Sequence, residues 1–145
     1  MIAIDHIDKA IIRELQVDGR MAYAQLGPAV GLSQAAVRQR VQRLIDGGVM
    51  QVVAVTDPLG LGFTLQAMIG VQADGDLRSI ATKLAGVDEI EYVVAASGRY
   101  DLLVEVVCAD HEALFALLND VVRATPGVRS AEAFTYLHLE KQSYS

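Results

Sequence analysis

The sequence holds one cysteine, three prolines, three histidines and no tryptophan in 145 residues. A lone thiol, Cys108, excludes an intrachain disulfide and fits a reducing compartment, and its expected place is as a small apolar residue buried in a strand. No run approaches the ~18 uninterrupted apolar residues that a membrane span requires. Asp5 and Asp8 interrupt the N-terminal stretch before any apolar segment of a secretory leader could form, so the expected location is cytoplasmic. His6, His111 and His138 fall in separate segments, and no metal-ligand spacing, nucleophile elbow or phosphate-cradling glycine loop accompanies them. No catalytic residue, metal or cofactor is therefore expected, and no enzyme. Basic charge is also scarce: 12 Lys and Arg face 18 Asp and Glu, a net of -6, which taken alone argues against a polyanionic partner.

The total hides an uneven distribution. Residues 1–49 carry six basic and five acidic side chains, whereas everything from Met50 onward carries six basic and 13 acidic. The basic groups of the first part concentrate in "LGPAVGLSQAAVRQRVQRL", where Arg38, Arg40 and Arg43 fall within six residues. With 52% hydrophobic and 21% charged residues the chain is globular, long enough for one ordinary domain or two small ones.

Helical spacing of Ile4, Ile7, Ile11 and Leu15, with carboxylates early and Gly19 past the end, predicts a first helix from Asp5 to Asp18. Tyr23 to Val30 predicts a second, shorter helix ended by Gly31, although Gly27 and Pro28 are poor helix formers and Pro28 removes a backbone donor. Ser33 is a good N-cap for a third helix stopped by Gly47 and Gly48, with Val37, Val41, Leu44 and Ile45 turned inward. Its outer face then presents Gln34, Ala35, Arg38, Gln39 and Gln42, flanked by Arg40 and Arg43. A short helix, a turn at Gly31 and a capped helix with a polar outer face make a helix-turn-helix. Such a recognition helix enters the major groove of double-stranded DNA with its N-terminus leading. Gln34, Arg38 and Gln39, just after Ser33, are placed to reach base edges, since Gln matches adenine and Arg matches guanine bidentately. Arg40 and Arg43 suit phosphates. An ordinary amphipathic helix with solvated arginines would share the pattern, but the charge split favours DNA, because the acidic second part leaves this helix as the one attractive face.

Beyond Gly48, "VMQVVAV" predicts a strand and "DPLGLG" a break that marks a boundary between domains. The order then reads strand 63–73, helix 76–86, strand 89–97, strand 100–109, helix 110–125 and strand 129–141. This βαββαβ order predicts an antiparallel sheet with both helices on one face, the ferredoxin-like arrangement. Val94, Leu102, Val104 and Val106 make the opposite face apolar, and a second copy of the sheet would cover it, which argues for a homodimer or larger.

Four segments, "IDHIDKAIIRELQVDGR", "VGLSQAAVRQRVQRLIDGGVM", "DPLGLG" and "SGRYDLLVEV", resemble in that order the signatures of the leucine-responsive and asparagine-responsive (Lrp/AsnC, feast/famine) transcription regulators. The resemblance covers nearly the whole chain. It implies an α+β protein: a winged-type helix-turn-helix over 1–49, with Ser33, Gln34, Ala35, Arg38, Gln39, Arg40 and Arg43 at the DNA, a linking strand and linker over 50–62, and a ferredoxin-like domain over 63–145. That second domain would both oligomerise, as dimers assembling to tetramers or octamers, and bind a small effector, an amino acid being the expected class. By motif, the effector site would comprise Gly98, Arg99, Tyr100, Asp101 and Thr135. Physical chemistry supports the loop separately: Gly98 permits close backbone approach, Asp101 suits an ammonium group and Arg99 a carboxylate. A plain hairpin turn, with Gly98 present for its dihedral angles and Asp101 for local backbone bonding, is the competing reading. In this sequence Ala22 stands where the family usually has a capping hydroxyl or Asp. Two rival functions share the framework. One is a tetrapyrrole (sirohaem-type) decarboxylase, which would want histidine and arginine gathered around a polycarboxylate; the other is a metabolite sensor with weakened DNA binding.

Overall fold

The computed structural model describes residues 1–63 and 65–143. Thr64, expected inside a strand, and residues 144–145, expected at the end of the second domain, lie outside them. The chain divides into two compact units, one built on Met1–Val55 and the other on Thr56–Glu140.

The first unit holds three helices, α1 (His6–Val17), α2 (Tyr23–Val30) and α3 (Gln34–Asp46). Asp5 caps α1 through a reciprocal pair in which the Asp8 N–H donates to Asp5 at 2.8 Å and the Asp5 N–H donates to Asp8 at 3.0 Å. This satisfies donors that a first helical turn leaves unpaired. The helix α2 lacks any side-chain cap, as Ala22 dictates, and Pro28 sits inside it without ending it. Pro28 lies in the last turn, so it forfeits one backbone bond and the helix runs on to Gly31, whose φ of 78° lets the chain turn sharply. Gly27 has a different purpose: a Cβ there would meet the Leu32 carbonyl oxygen at 2.6 Å, so the tight approach of the turn to α2 needs its bare backbone. Ile11, Leu26, Val37, Val41 and Leu44 form the core of this unit. Full burial of Leu26 alone contributes about 1.5–3 kcal/mol. Ile45, expected inward, is instead 37% exposed, because one more residue of helical rotation beyond Leu44 carries it past the edge of the buried stripe.

The run 49–55, expected as a linking strand, forms no ladder and is exposed throughout most of its length. No neighbouring strand among the described residues offers it hydrogen bonds, so its β-rich composition is not enough to make it one. A short 3₁₀ turn follows at Leu59–Leu61.

The second unit contains β1 (Leu65–Ala73), α4 (Leu77–Ala85), β2 (Ile90–Ala95), β3 (Leu102–Cys108), α5 (His111–Ala116) and β4 (Val128–Thr135). The sheet order is β2-β3-β1-β4, all pairs antiparallel, as the ferredoxin-like reading requires. Beyond α5 the backbone continues as a wider π-helical stretch, Leu117–Val122, where the Arg123 N–H reaches the Leu118 carbonyl at 2.8 Å. The i→i+5 spacing sets Leu117 and Val122 together in the core. Ala67, Ile69, Val71, Leu102, Val104 and Val106, all 0% exposed, pack with Ile80, Leu84, Leu114, Leu117 and Val122 from the helices. Leu102, Val104 and Val106 thus belong to the covered face, and their expected place on the bare face is corrected by the register: Leu102 pairs with Val71 and Val106 with Ala67. The bare face carries the alternate set, including Met68, Leu103, Glu105 and Phe134, together with Val94 opposite Leu103. Expected to run to residue 141, β4 ends at Thr135, where its ladder with β1 stops at Ala67; the Tyr136 N–H still donates to the Gln66 carbonyl, and Leu137 is 96% exposed.

Candidate functional site

On α3 the exposed row Gln34, Ala35, Arg38, Gln39 and Gln42 lies opposite the buried row Val37, Val41 and Leu44. Ser33 caps the helix, its hydroxyl accepting from the Ala36 N–H at 3.1 Å. The three arginines, alike in sequence, differ in surroundings. Arg38 lies over the Tyr23 ring, its guanidinium carbon 5.1 Å from the centroid. Arg40 donates through Nη1 to both oxygens of Asp5, at 2.9 and 2.8 Å, and to Asp8 at 3.0 Å. Arg43 donates to Asp8 at 3.2 Å and to the Ala3 carbonyl. The Asp8 carboxylate is 2% exposed and therefore buried between two guanidiniums and the Asp5 backbone. The backbone N–H of Asp8, followed by the Arg40 guanidinium, holds the Asp5 carboxyl down to about 2. Arg40 and Arg43, expected at phosphates, are thus engaged in fastening α3 to the start of α1.

In the second unit the loop between β2 and β3 brings Gly98, Arg99, Tyr100 and Asp101 together. The Asp101 N–H donates to the Val71 carbonyl at 2.8 Å, and its carboxylate accepts from the Ala73 N–H at 2.8 Å. The Gln72 amide donates to the Arg99 carbonyl at 3.1 Å while accepting from the Ser130 hydroxyl at 2.8 Å. Tyr100 lies over Gly70 on the bare sheet face, meets the Phe134 ring edge-on at a centroid distance of 6.0 Å, and donates its phenol to Glu132. The hydrogen bond to that carboxylate raises the Tyr100 phenol, since ionising it would lose the donated proton as well as set two negative charges side by side. Gly98 is not in a left-handed conformation, and a Cβ there would meet nothing within 4 Å. The hairpin's geometry therefore does not demand glycine, and open space stands above the loop. Thr135 is not brought to it. Thr135 pairs with Ala67 on the helix-covered side of the sheet, whereas Asp101 binds at Val71, about 13 Å further along β1 at ~3.3 Å per residue.

His6 opens α1, His111 opens α5 and His138 lies beyond β4 beside Glu140 at 2.8 Å, all three exposed. Among the described residues no group of three or more His, Cys, Asp or Glu is arranged to hold a metal ion, and no helix is long and apolar enough to cross a membrane.

Two family models match the chain: the AsnC-type helix-turn-helix domain over residues 4–45 and the Lrp/AsnC ligand binding domain over residues 66–145. The chain belongs to the Lrp/AsnC family. It is a transcriptional regulator of this type, with a helix-turn-helix and a ligand-binding domain. Among curated relatives it is 31% identical to the regulator FL11 of Pyrococcus horikoshii, over 98% of this chain and 95% of that one. Among solved structures, the leucine response regulatory protein LrpA of Mycobacterium tuberculosis matches at 29% identity with a TM-score of 0.88, covering 98% of each chain. A Neisseria meningitidis transcriptional regulator in complex with L-Met matches at 26% identity and a TM-score of 0.88, covering 97% of this chain and 94% of that one.

Several residues of this Lrp/AsnC chain that shape its sites escape a motif-based reading. Gly70 gives Tyr100 its place, and the signal for it was an isolated glycine inside a strand pattern. Glu132, Phe134 and Gln72 sit at register positions that only the sheet order reveals. Tyr23 comes beside Arg38 only once α2 packs against α3.

Proposed function

We propose that this regulator binds operator DNA through the exposed row of α3 and senses a small metabolite, an amino acid being the favoured class, at the loop Gly98–Asp101. The observation that carries the reading is the Ser33-capped helix whose outer face is Gln34, Ala35, Arg38 and Gln39 and whose inner face is fully buried. Those four residues lie in its first two turns, the part of a recognition helix that reaches base edges. Arg40 and Arg43 fix the helix from behind, and Arg43, 45% exposed, also reaches a phosphate. The uncovered sheet face, with Phe134 45% and Tyr92 55% exposed, suits a homodimer, higher tetramers or octamers following from further copies, and the protein works in the cytoplasm with its DNA. Thr135 joins an effector pocket only if a second copy supplies it, because within one chain it lies away from the loop. The L-Met complex of the Neisseria meningitidis relative supports an amino acid as ligand.

A gel-shift series on an operator and on random DNA tests the reading. Arg38→Ala and Gln39→Ala should each reduce discrimination by roughly 1–3 kcal/mol, the loss of a bidentate base contact. Arg43→Ala should weaken both duplexes alike. Equal losses on both duplexes for Arg38→Ala and Gln39→Ala would remove the base-reading assignment.

A further inference from the structure

We propose that Tyr23 is a positioning residue for DNA readout: its ring holds the Arg38 guanidinium so that its donors face the groove. The proposal rests on the reading of α3 as the recognition helix and adds a residue from α2 to it.

Three observations combine. Arg38 is exposed, and among the described residues it is the one arginine of α3 with no carboxylate partner; Arg40 and Arg43 spend donors on Asp5, Asp8 and the Ala3 carbonyl. Arg38 is instead held over an aromatic face, 5.1 Å from its centroid. A ring face attracts the cation without using any of its N–H groups, which lie in the guanidinium plane and stay free for a bidentate partner. Carboxylates and a carbonyl hold Arg40 through Nη1 and Arg43 through Nη1 and Nη2, whereas the contact with a ring face takes no N–H from Arg38. The second observation is where the ring comes from. Tyr23 is the first residue of α2, half-buried against the core of the unit, so the ring is anchored by packing while one face stays available to Arg38. The third is a groove of about 520 Å³ lined by Tyr23, Arg38, Gln39, Gln42 and Arg43, with Asp46, bonded to the Gln42 amide, also in its lining. Tyr23, Arg38 and Gln39 line the same groove, so the ring contact holds the guanidinium near the amide expected to read the neighbouring base.

The full-length protein is compared on a duplex that the wild type selects from a random pool and on a random-sequence duplex. Tyr23→Phe should keep wild-type discrimination, because the ring face survives. Pentafluorophenylalanine at position 23 keeps the shape but removes the negative face, and should lower discrimination about two- to five-fold, the range of an exposed cation–π contact. Tyr23→Leu should do the same. In an Arg38→Ala background none of these changes should have further effect. If fluorination leaves discrimination unchanged, or costs as much without Arg38 as with it, the positioning role is overturned while the reading of α3 stands. If Arg38→Ala itself discriminates like the wild type, that reading fails and this proposal with it. Should Tyr23→Leu not fold, the phenylalanine and pentafluorophenylalanine pair, matched in shape, decides alone.

Discussion

Gly70 and Tyr100 show how a single missing side chain shapes the effector domain. A Cβ at position 70 would lie 2.7 Å from the Tyr100 ring, and the ring cannot retreat while its phenol is bonded to Glu132. Gly70→Ala should therefore cost about 1–3 kcal/mol, as overpacking does, and should lift Tyr100 off the sheet. Denaturant unfolding checks the first outcome. Spectrophotometric titration checks the second, because a phenol released from Glu132 should ionise at lower pH than in the wild type. The sequence marks only a glycine inside a strand and not its partner, since Tyr100 and Gly70 meet only when β1 and β3 pair. Gly98 is the reverse case: the motif marks it, and the structure shows neither a left-handed backbone nor a neighbour that explains it within one chain. Asp5 makes a pH prediction. Its carboxyl is held below the ordinary 3.8, at about 2, so the stabilisation it gives is complete above 3.8 and is lost as pH falls toward 2. The thermal midpoints of wild type and Asp5→Asn should differ at pH 5 and converge as pH approaches 2. A gap that stays constant across that window would show that the ionised carboxylate is not the source.

At the scale of the element, the helices were well marked and the strands less so. Caps at Asp5, Ser33, Asp76 and Asp110 are local signals, each a side chain accepting from a backbone N–H two or three residues on, and they fix where α1, α3, α4 and α5 begin. Strand limits depend on partners instead. This is why the run 49–55, rich in valine, makes no ladder and why β4 stops at Thr135 rather than at residue 141. The faces of the sheet were misassigned at Leu102, Val104 and Val106 because alternation gives two sets of residues without saying which set the helices cover. The same gap hid the fastening of α3, which depends on Asp8 lying opposite Arg40 and Arg43 across more than thirty residues. Asp8→Asn tests that fastening. It replaces a buried acceptor of two guanidiniums and should cost about 1–3 kcal/mol, read by denaturant unfolding. Arg40 stays bonded to Asp5 and Arg43 to the Ala3 carbonyl, but one negative charge beside them is removed, so affinity for random DNA at low salt should rise while the log–log salt slope stays at the wild-type value. A steeper slope would mean that Arg43 gains its phosphate only once Asp8 lets go of it.

The whole molecule joins two compact units, and regulation requires that occupancy of one alters the other. The charge distribution fits a division of tasks: the unit with the helix-turn-helix has a small positive balance, and the acidity from Met50 onward disfavours contact of the rest of the chain with a DNA backbone. What remains is the link from effector to DNA. If the ligand's ammonium group pairs with Asp101 in the open space above Gly98, its binding free energy can favour one packing of subunits over another, and packing sets the spacing at which successive recognition helices meet major grooves. Asp101→Ala would confuse the test, because the carboxylate also accepts from the Ala73 N–H at 2.8 Å and holds the loop to β1. Asp101→Asn keeps an acceptor there and removes the charge, so it should leave the fold and the ligand-free DNA affinity within several-fold of wild type. It should nevertheless abolish the thermal shift produced by the amino acid that stabilises the wild type in a screen, along with the ligand's effect on operator occupancy. That effect has a ceiling: coupling of ~1–3 kcal/mol corresponds to a change of roughly 5- to 150-fold. Linkage demands that operator DNA alter ligand affinity by the same factor, and titration of the ligand with and without DNA measures it. If Asp101→Asn binds and responds like the wild type, the loop is a hairpin turn and the effector lies elsewhere in the domain.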